Sequence, residues 1–189
     1  MRIIGGKFKG KKILQPKNKQ TRPLKDIARE SIFNLIIHSN KFSFKIEQAN
    51  ILDLYAGTGS FGLECLSRGA KNVFFVEKEK ETIEILKKNI EKFKLQNKTK
   101  IFINEIFYFL ERQNFLKQKF DLVFCDPPFK DTNIEKLIEV VAQKNLLKKN
   151  GLIIIHRHKN SSENLQMFVK ILDERFYGIS KIIFSKPLF

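Results

Sequence analysis

From Asn50 onward the chain alternates between short apolar runs and amphipathic stretches. The runs Ile51–Tyr55, Val73–Glu77, Lys100–Ile103, Leu122–Cys125 and Leu152–His156 are rich in Ile, Leu, Val and Phe. Their length and flanking polar or glycine residues predict strands. Between them Phe61–Arg68, Glu81–Phe93, Phe107–Gln113 and Ile134–Leu147 carry apolar residues at helical spacing. Apolar strands alternating with helices predict an α/β fold, with a mostly parallel sheet covered on both faces. The tail breaks this rhythm. Met167–Phe176 and Ile179–Ser185 are separated only by Tyr177-Gly178, which predicts an antiparallel pair at the C-terminal edge of the sheet.

The first part of the chain has a different pattern. Ile3, Ile4, Phe8 and Ile13 interleave with Gly5-Gly6 and Gly10, so residues 1–20 read as an ordered hairpin and loop. Thr21-Arg22-Pro23-Leu24 then leads into a helix over Asp26–His38, and Lys41–Gln48 reads as a linker. The expected organisation is an N-terminal hairpin-and-helix extension over 1–48 and an α/β domain over 49–189.

Charge adds a partner class. Arg and Lys number 36 against 20 Asp and Glu, a net charge of +16 over 189 residues. A balance of this kind favours a polyanion, nucleic acid before an anionic membrane surface. Lys, Ile, Asn and Phe are all abundant and Trp is absent. That bias inflates lysine by itself, so local clustering is the better guide. Arg2, Lys7, Lys9, Lys11, Lys12, Lys17, Lys19, Arg22, Lys25 and Arg29 face only Asp26 and Glu30 in the first thirty residues. Their glycine and apolar neighbours argue for an ordered basic hairpin, not a solvated tail. Cys65 and Cys125 lie far apart inside apolar patterns and read as small buried hydrophobes. No signal or transmembrane segment is visible, so the expected compartment is the cytoplasm, with no membrane partner.

Candidate chemistry gathers at the strand ends. Strand Ile51–Tyr55 runs into Ala56-Gly57-Thr58-Gly59-Ser60-Phe61-Gly62, and Glu77 ends the next strand. A strand, G-x-G-x-x-G, a helix and an acid about twenty residues on form the dinucleotide-binding pattern, so a nicotinamide-dependent enzyme is a rival reading. Charge separates the two. A pyrophosphate brought to the glycines would be repelled by Asp53, which precedes them. A cofactor with an amino-acid end is different: its ammonium suits Asp53, its carboxylate suits backbone N–H groups at the helix start, and its ribose suits Glu77. S-adenosylmethionine has that layout. Glu105 follows the third strand, placed either for an adenine edge or as a helix N-cap acid.

The fourth strand ends in Asp126-Pro127-Pro128-Phe129. Two prolines stiffen the loop and remove N–H donors. What remains is a carboxylate acceptor, carbonyls and one flat apolar ring, a set that suits a planar base bearing an exocyclic amino group. Ligands of open parallel sheets bind at the carboxyl ends of the strands, and Asp53, Glu77, Glu105 and Asp126 all lie there. His156 and His158, spaced i and i+2, lack the further ligands a metal needs. They read as solvated or hydrogen-bonded, and no metal is expected.

Asp53-x-x-x-Gly57-x-Gly59 together with Asp126-Pro127-Pro128-Phe129 resembles the class I Rossmann-like methyltransferases that modify exocyclic amino groups. Met1-Arg2-Ile3-Ile4-Gly5-Gly6-Lys7-Phe8-Lys9-Gly10 and Thr21-Arg22-Pro23-x-x-Asp26-x-x-Arg29-Glu30-x-x-Phe33-Asn34 narrow the likeness to the RsmD family, and Arg68-Gly69-Ala70 extends it over nearly the whole chain. The resemblance implies methyl transfer from S-adenosylmethionine to N2 of a guanine in small-subunit ribosomal RNA, by a monomer, on naked RNA or on the assembled 30S particle. It implies a catalytic loop of Asp126, Pro127, Pro128 and Phe129. It implies cofactor contacts from Asp53, Tyr55, Gly57, Thr58, Gly59, Glu77, Lys78, Glu105 and Asp126, and RNA contacts from Arg2, Lys7, Lys9, Lys11, Lys12, Arg22 and Arg29; Asp26 and Glu30 stand ready to order the two later arginines instead. A DNA adenine-N6 methyltransferase using the same loop, and a non-catalytic RNA-binding protein on a cofactor fold, are the alternatives. Two positions depart from the family. Glu105 replaces a more usual Asp or Asn, and Ile155-His156-Arg157 stands where relatives often carry an acid.

Overall fold

The computed structural model describes residues 1–16, 26–112 and 118–188. The motif Thr21-Arg22-Pro23-Leu24, and with it the expected RNA contact of Arg22, lies outside the described residues, as does Gln113. The described chain forms helix α1 (Asp26–His38), then β1 (Asn50–Leu54), α2 (Ser60–Ser67), β2 (Asn72–Glu77), α3 (Lys80–Lys92), β3 (Thr99–Ile103), α4 (Ile106–Arg112), β4 (Phe120–Cys125), α5 (Ile134–Gln143), β5 (Leu147–His158), β6 (Val169–Tyr177) and β7 (Ser180–Pro187).

The strands make one sheet in the order β3-β2-β1-β4-β5-β7-β6. β1 to β5 are parallel, while β7 runs antiparallel to both β5 and β6. The chain starts near the middle at β1, moves out to β3, then returns to the other side of β1 with β4. That reversal leaves the carboxyl ends of β1 and β4 side by side as the natural place for a ligand.

Alternation along each strand feeds two apolar layers. Ile51, Phe75, Phe124 and Ile154 pack with Phe33, Phe61 and Leu86 from α1, α2 and α3. Leu52, Val76, Val123 and Ile153 pack with Phe109 and Leu137 from α4 and α5. Because both faces are covered, the strands read as continuous apolar runs.

Two segments differ most from the sequence pattern. The last predicted helix stops at Gln143, and β5 already begins at Leu147. Asn145 adopts φ 52° and turns the chain, while Leu146 and Leu147 stay buried as though the helical stripe continued. The Lys41–Gln48 segment is more than a linker. Phe42, Phe44 and Ile46 are buried, and Phe42 stacks on Phe184 with ring centroids 5.2 Å apart.

The N-terminal hairpin forms as expected: Arg2 bridges Lys12, and Ile3 N donates to Lys11 O at 2.9 Å. It is joined to α2 through the buried Glu64. That carboxylate accepts Ile4 N at 2.7 Å, Gly5 N at 2.8 Å and Arg68 Nε at 2.7 Å. Ile3 and Ile13 belong to the same apolar layer as β1 and α2.

Arg29 requires a correction. It was expected to hold phosphate, but its side chain is fully buried. Its Nη2 donates to Arg2 O and to Asp26 Oδ1, and its Nε lies 3.9 Å from Glu64 Oε2. Burial lowers its pKa below the ordinary guanidinium value, opposed by Glu64 and then Asp26. The alternative that Asp26 orders this arginine is the observed arrangement. Among the described residues no helix is long and apolar enough to cross a membrane.

Candidate active site

β1 delivers Asp53 and Tyr55 to the sheet's carboxyl edge. Tyr55 takes φ 59°, uncommon for a bulky residue, and starts the turn. Gly59 at φ 83° caps α2, and a Cβ there would lie 2.4 Å from Leu86 Cδ1. A Cβ on Gly62 would lie 2.3 Å from the Phe75 ring, so this glycine lets α2 press against β2.

The acids behind the loop hold it in place. Glu77 accepts Gly57 N through Oε2 at 2.8 Å, and Lys78 N and Glu79 N through Oε1 at 2.8 and 3.0 Å. Three accepted bonds leave about one of its four lone-pair sites. Asp53 is buried under the loop and accepts Gly62 N at 3.0 Å through Oδ2. Burial pushes its carboxyl well above the ordinary range; the Gly62 N–H opposes this, and Asp126 and then Glu77 add to it. Three carboxyl groups that feel one another form a site that a cation relieves and a pyrophosphate worsens.

Thr58 is buried and tied to the extension. Its hydroxyl accepts from Gln15 Nε2 at 2.9 Å and its carbonyl from Asn89 Nδ2 at 3.0 Å, while Asn89 Oδ1 takes Leu14 N at 2.8 Å. Sequence reading missed Gln15 and Asn89, which lie far apart in the chain and carry no motif. Glu105 takes the N-cap alternative through Oε2, accepting Phe107 N at 2.8 Å and Tyr108 N at 3.2 Å. Lys78 is exposed. Opposite Glu77 in register stands Ile103, 55% exposed, an apolar surface that the sequence pattern counted only as strand.

The proline loop is fastened on several sides. Asp126 Oδ1 lies 2.7 Å from His156 Nδ1, and His156 Nε2 lies 2.8 Å from Ser180 Oγ. Pro128 O accepts Asp131 N at 2.9 Å and Arg157 Nη1 at 3.2 Å, and Asp131 O accepts Arg157 Nη2 at 2.9 Å. Glu163 steadies that arginine at 2.6 Å. The Phe129 ring meets His156 at 5.1 Å and His158 at 5.4 Å, both edge-on. Tyr55 Oη reaches Asp131 Oδ2 at 3.4 Å; burial first, then Asp131, pushes the phenol's pKa up and keeps it protonated. The i, i+2 histidines were read as solvated or hydrogen-bonded. His156 is buried and hydrogen-bonded within the site itself.

The N-terminal hairpin carries a group of exposed cations. Arg2, Lys7, Lys9, Lys11 and Lys12 are all exposed, and none is ion-paired among the described residues. Lys7 and Lys11 place their ammonium groups 5.8 and 5.2 Å from the Phe8 ring. The open surface depressions lined by Ser31, Asn34 and His38, and by Glu84, Lys87 and Thr99, do not include the acids at the carboxyl ends of the strands. The chemistry of the strand ends, not concavity, defines the site.

Comparison with known proteins agrees with this geometry. Residues 1–186 match the family described as conserved hypothetical protein 95. The ribosomal RNA small subunit methyltransferase D of Haemophilus influenzae is 35% identical over 184 residues, covering 95% of this chain and 90% of that protein. A putative methyltransferase from Escherichia coli superposes with TM-score 0.83 at 26% identity, covering 99% of this chain and 97% of that one. A putative methylase of Haemophilus influenzae does so with TM-score 0.73 at 33% identity, covering 100% and 98%. The fold is that of the class I S-adenosylmethionine-dependent methyltransferases.

Proposed function

The chain belongs to the conserved hypothetical protein 95 family, the RsmD family, and from that premise we propose that it methylates N2 of a guanine in small-subunit ribosomal RNA, with S-adenosylmethionine as donor. The observation that carries this reading is Asp126, an acceptor at the end of β4 followed by two prolines that lack N–H donors, in a loop fixed by Arg157 and His156.

The residues fit the donor. Asp53, Glu77 and Asp126 bring three interacting carboxyls together, and burial and these neighbours hold the Asp53 proton; an ammonium and a sulfonium would bring the positive charge that relieves them. Glu77 keeps one acceptor site for a ribose hydroxyl, and Ile103 offers a bed for a flat ring beside it. Gly57, Thr58 and Gly59 would hold the donor through backbone, together with Tyr55, Lys78 and Glu105. When bound, the donor supplies an electrophilic methyl group.

The chain's residues do the rest by placement. The lone pair of guanine N2 is delocalised into the ring and is a poor nucleophile. Asp126 and the Pro127 carbonyl accept its two hydrogens and draw that lone pair out of conjugation. Phe129 stacks on the base, which must leave its RNA neighbours. Orientation of this kind supplies about 7 kcal/mol or more of a barrier with no covalent enzyme intermediate. The nitrogen's surplus proton passes to Asp126 after the N–C bond forms.

Residues 1–48 act as the RNA-binding extension, with Arg2, Lys7, Lys9, Lys11, Lys12 and Arg22 on phosphates, and residues 49–189 act as the catalytic unit. The protein works as a cytoplasmic monomer on ribosomal RNA or its 30S particle. Mass mapping of small-subunit RNA from cells lacking the gene tests the reading: one N2-methylguanine should disappear and return on addition of the protein. Loss of N6-methyladenine from DNA instead would overturn it. Calorimetry should show S-adenosylmethionine binding and no binding of a nicotinamide dinucleotide.

A further inference from the structure

β5 runs beside β4 with Ile155 opposite Cys125, so the next residues, His156 and Asp126, stand side by side. His156 is 3% exposed and both ring nitrogens are engaged, Nδ1 at 2.7 Å from Asp126 Oδ1 and Nε2 at 2.8 Å from Ser180 Oγ. An ionised carboxylate only accepts, so Nδ1 carries the hydrogen in that contact. In a neutral ring the Ser180 hydroxyl then donates to Nε2, and Ser180 is itself buried at the start of β7. Left alone, the terminal torsion of an aspartate is broad and nearly two-fold. Here one carboxylate oxygen is tied to a buried ring that is tied in turn to a strand. The same imidazole packs against the edge-on Phe129 ring.

We propose that His156, fixed by Ser180, is the positioning residue of the transfer: it holds Asp126 through Oδ1, leaves Oδ2 as the acceptor for the substrate's amino hydrogen, and sets the Phe129 ring at the same time. The role rests on the methyl-transfer reading above. It assigns to the end of β5 a part in the reaction that the Asp-Pro-Pro-Phe loop does not fill by itself, since that loop's prolines restrain the backbone and leave the Asp126 side chain to rotate.

Two measurements on the full chain test it. The first needs no substrate. The chain has three histidines, so long-range proton–nitrogen spectra resolve each imidazole. His156 should be the Nδ1–H tautomer, and Asp126→Ala should convert it to Nε2–H. The second is the single-turnover rate on small-subunit particles from cells lacking the gene. His156→Phe should slow transfer about 100-fold while KM for RNA and cofactor affinity stay within about twofold, the pattern of an interaction made in the transition state. His156→Asn, whose amide N–H reaches about as far as Nδ1, should recover to within about tenfold of the unaltered rate, and Ser180→Ala should slow transfer several-fold. A His156→Phe variant at near-normal rate, or an Asn variant no better than Phe, overturns the role. An active chain whose His156 is the Nε2–H tautomer overturns it as well while sparing the transfer reading. An unaltered chain that methylates no particle overturns both, leaving the tautomer result as a fact of the fold.

Discussion

Asp53 and Asp126 leave adjacent strands, yet their surroundings give them different duties. Asp53 is buried with one backbone N–H for company, and burial raises its pKa. The folded state therefore holds this proton more tightly than the unfolded chain. Its contribution to stability falls as pH rises from the ordinary carboxylate range toward the raised folded value, and it stays unfavourable above that. Asp53→Asn keeps an acceptor for Gly62 N and removes the titration. Its melting temperature should match or exceed that of the unaltered protein at neutral pH, with the difference closing below about pH 4, where both forms are neutral. Its affinity for S-adenosylmethionine should fall about tenfold, because a charge-assisted bond is removed. A variant less stable at neutral pH and equally tight for cofactor would refute this account. Asp126→Ala should leave the fold intact and slow transfer by about a hundredfold or more. Asp126→Asn, whose amide oxygen still accepts, should keep part of that rate if polarisation matters more than proton uptake. All four strand-end acids were readable in the sequence, because a carboxylate that ends an apolar run is a local signal. Their partners were not. His156 reaches Asp126 through the register of β4 on β5, and Gln15 reaches Thr58 across forty-three positions; neither relation leaves a local pattern.

At the scale of elements, α2 carries the most constraints. The glycine loop leads into its first turn, its Gly62 lies against β2, and its Glu64 receives the N-terminal hairpin. Gly62→Ala adds one methyl group where a Cβ would sit 2.3 Å from the Phe75 ring. Overpacking of this kind costs about 1–3 kcal/mol. Denaturant unfolding should show a lower midpoint at unchanged slope, and cofactor affinity should weaken as the helix start shifts; an unchanged midpoint would mean that β2 yields freely. Alternation of strand and helix was plain from periodicity, and α1 was predicted over its observed span, Asp26–His38. The α5–β5 boundary was not, because burial of Leu146 and Leu147 continues across the change of element. Nor was the packing of Phe42, Phe44 and Ile46 read, although they alternate with Lys41, Ser43, Lys45 and Glu47 as one buried face does.

Across the whole molecule, the basic extension shares one apolar layer with β1 and α2 and is hydrogen-bonded to α2 and α3 through its backbone. Ile3 and Ile13 share a layer with β1, and the extension touches the glycine loop through Gln15 and Asn89. Its exposed cations make no such contact. RNA recognition and cofactor binding should therefore separate under mutation. Every phosphate that the protein ceases to neutralise flattens the salt dependence of binding by about one unit of log–log slope. Replacing Lys7, Lys9, Lys11 and Lys12 together by Gln should weaken RNA binding and lower that slope by up to about four units. S-adenosylmethionine affinity should stay within about twofold, because distant sites act additively. Gln15→Ala supplies the contrast: it leaves the lysines in place, removes the bond to Thr58, and should weaken cofactor binding while the salt slope holds. Both affinities, taken at several salt concentrations on naked RNA and on assembled particles, decide the matter. A slope that does not change in the quadruple variant on either substrate would make these lysines a solvated face produced by composition, and would move the search for the RNA track to the cations elsewhere on the chain.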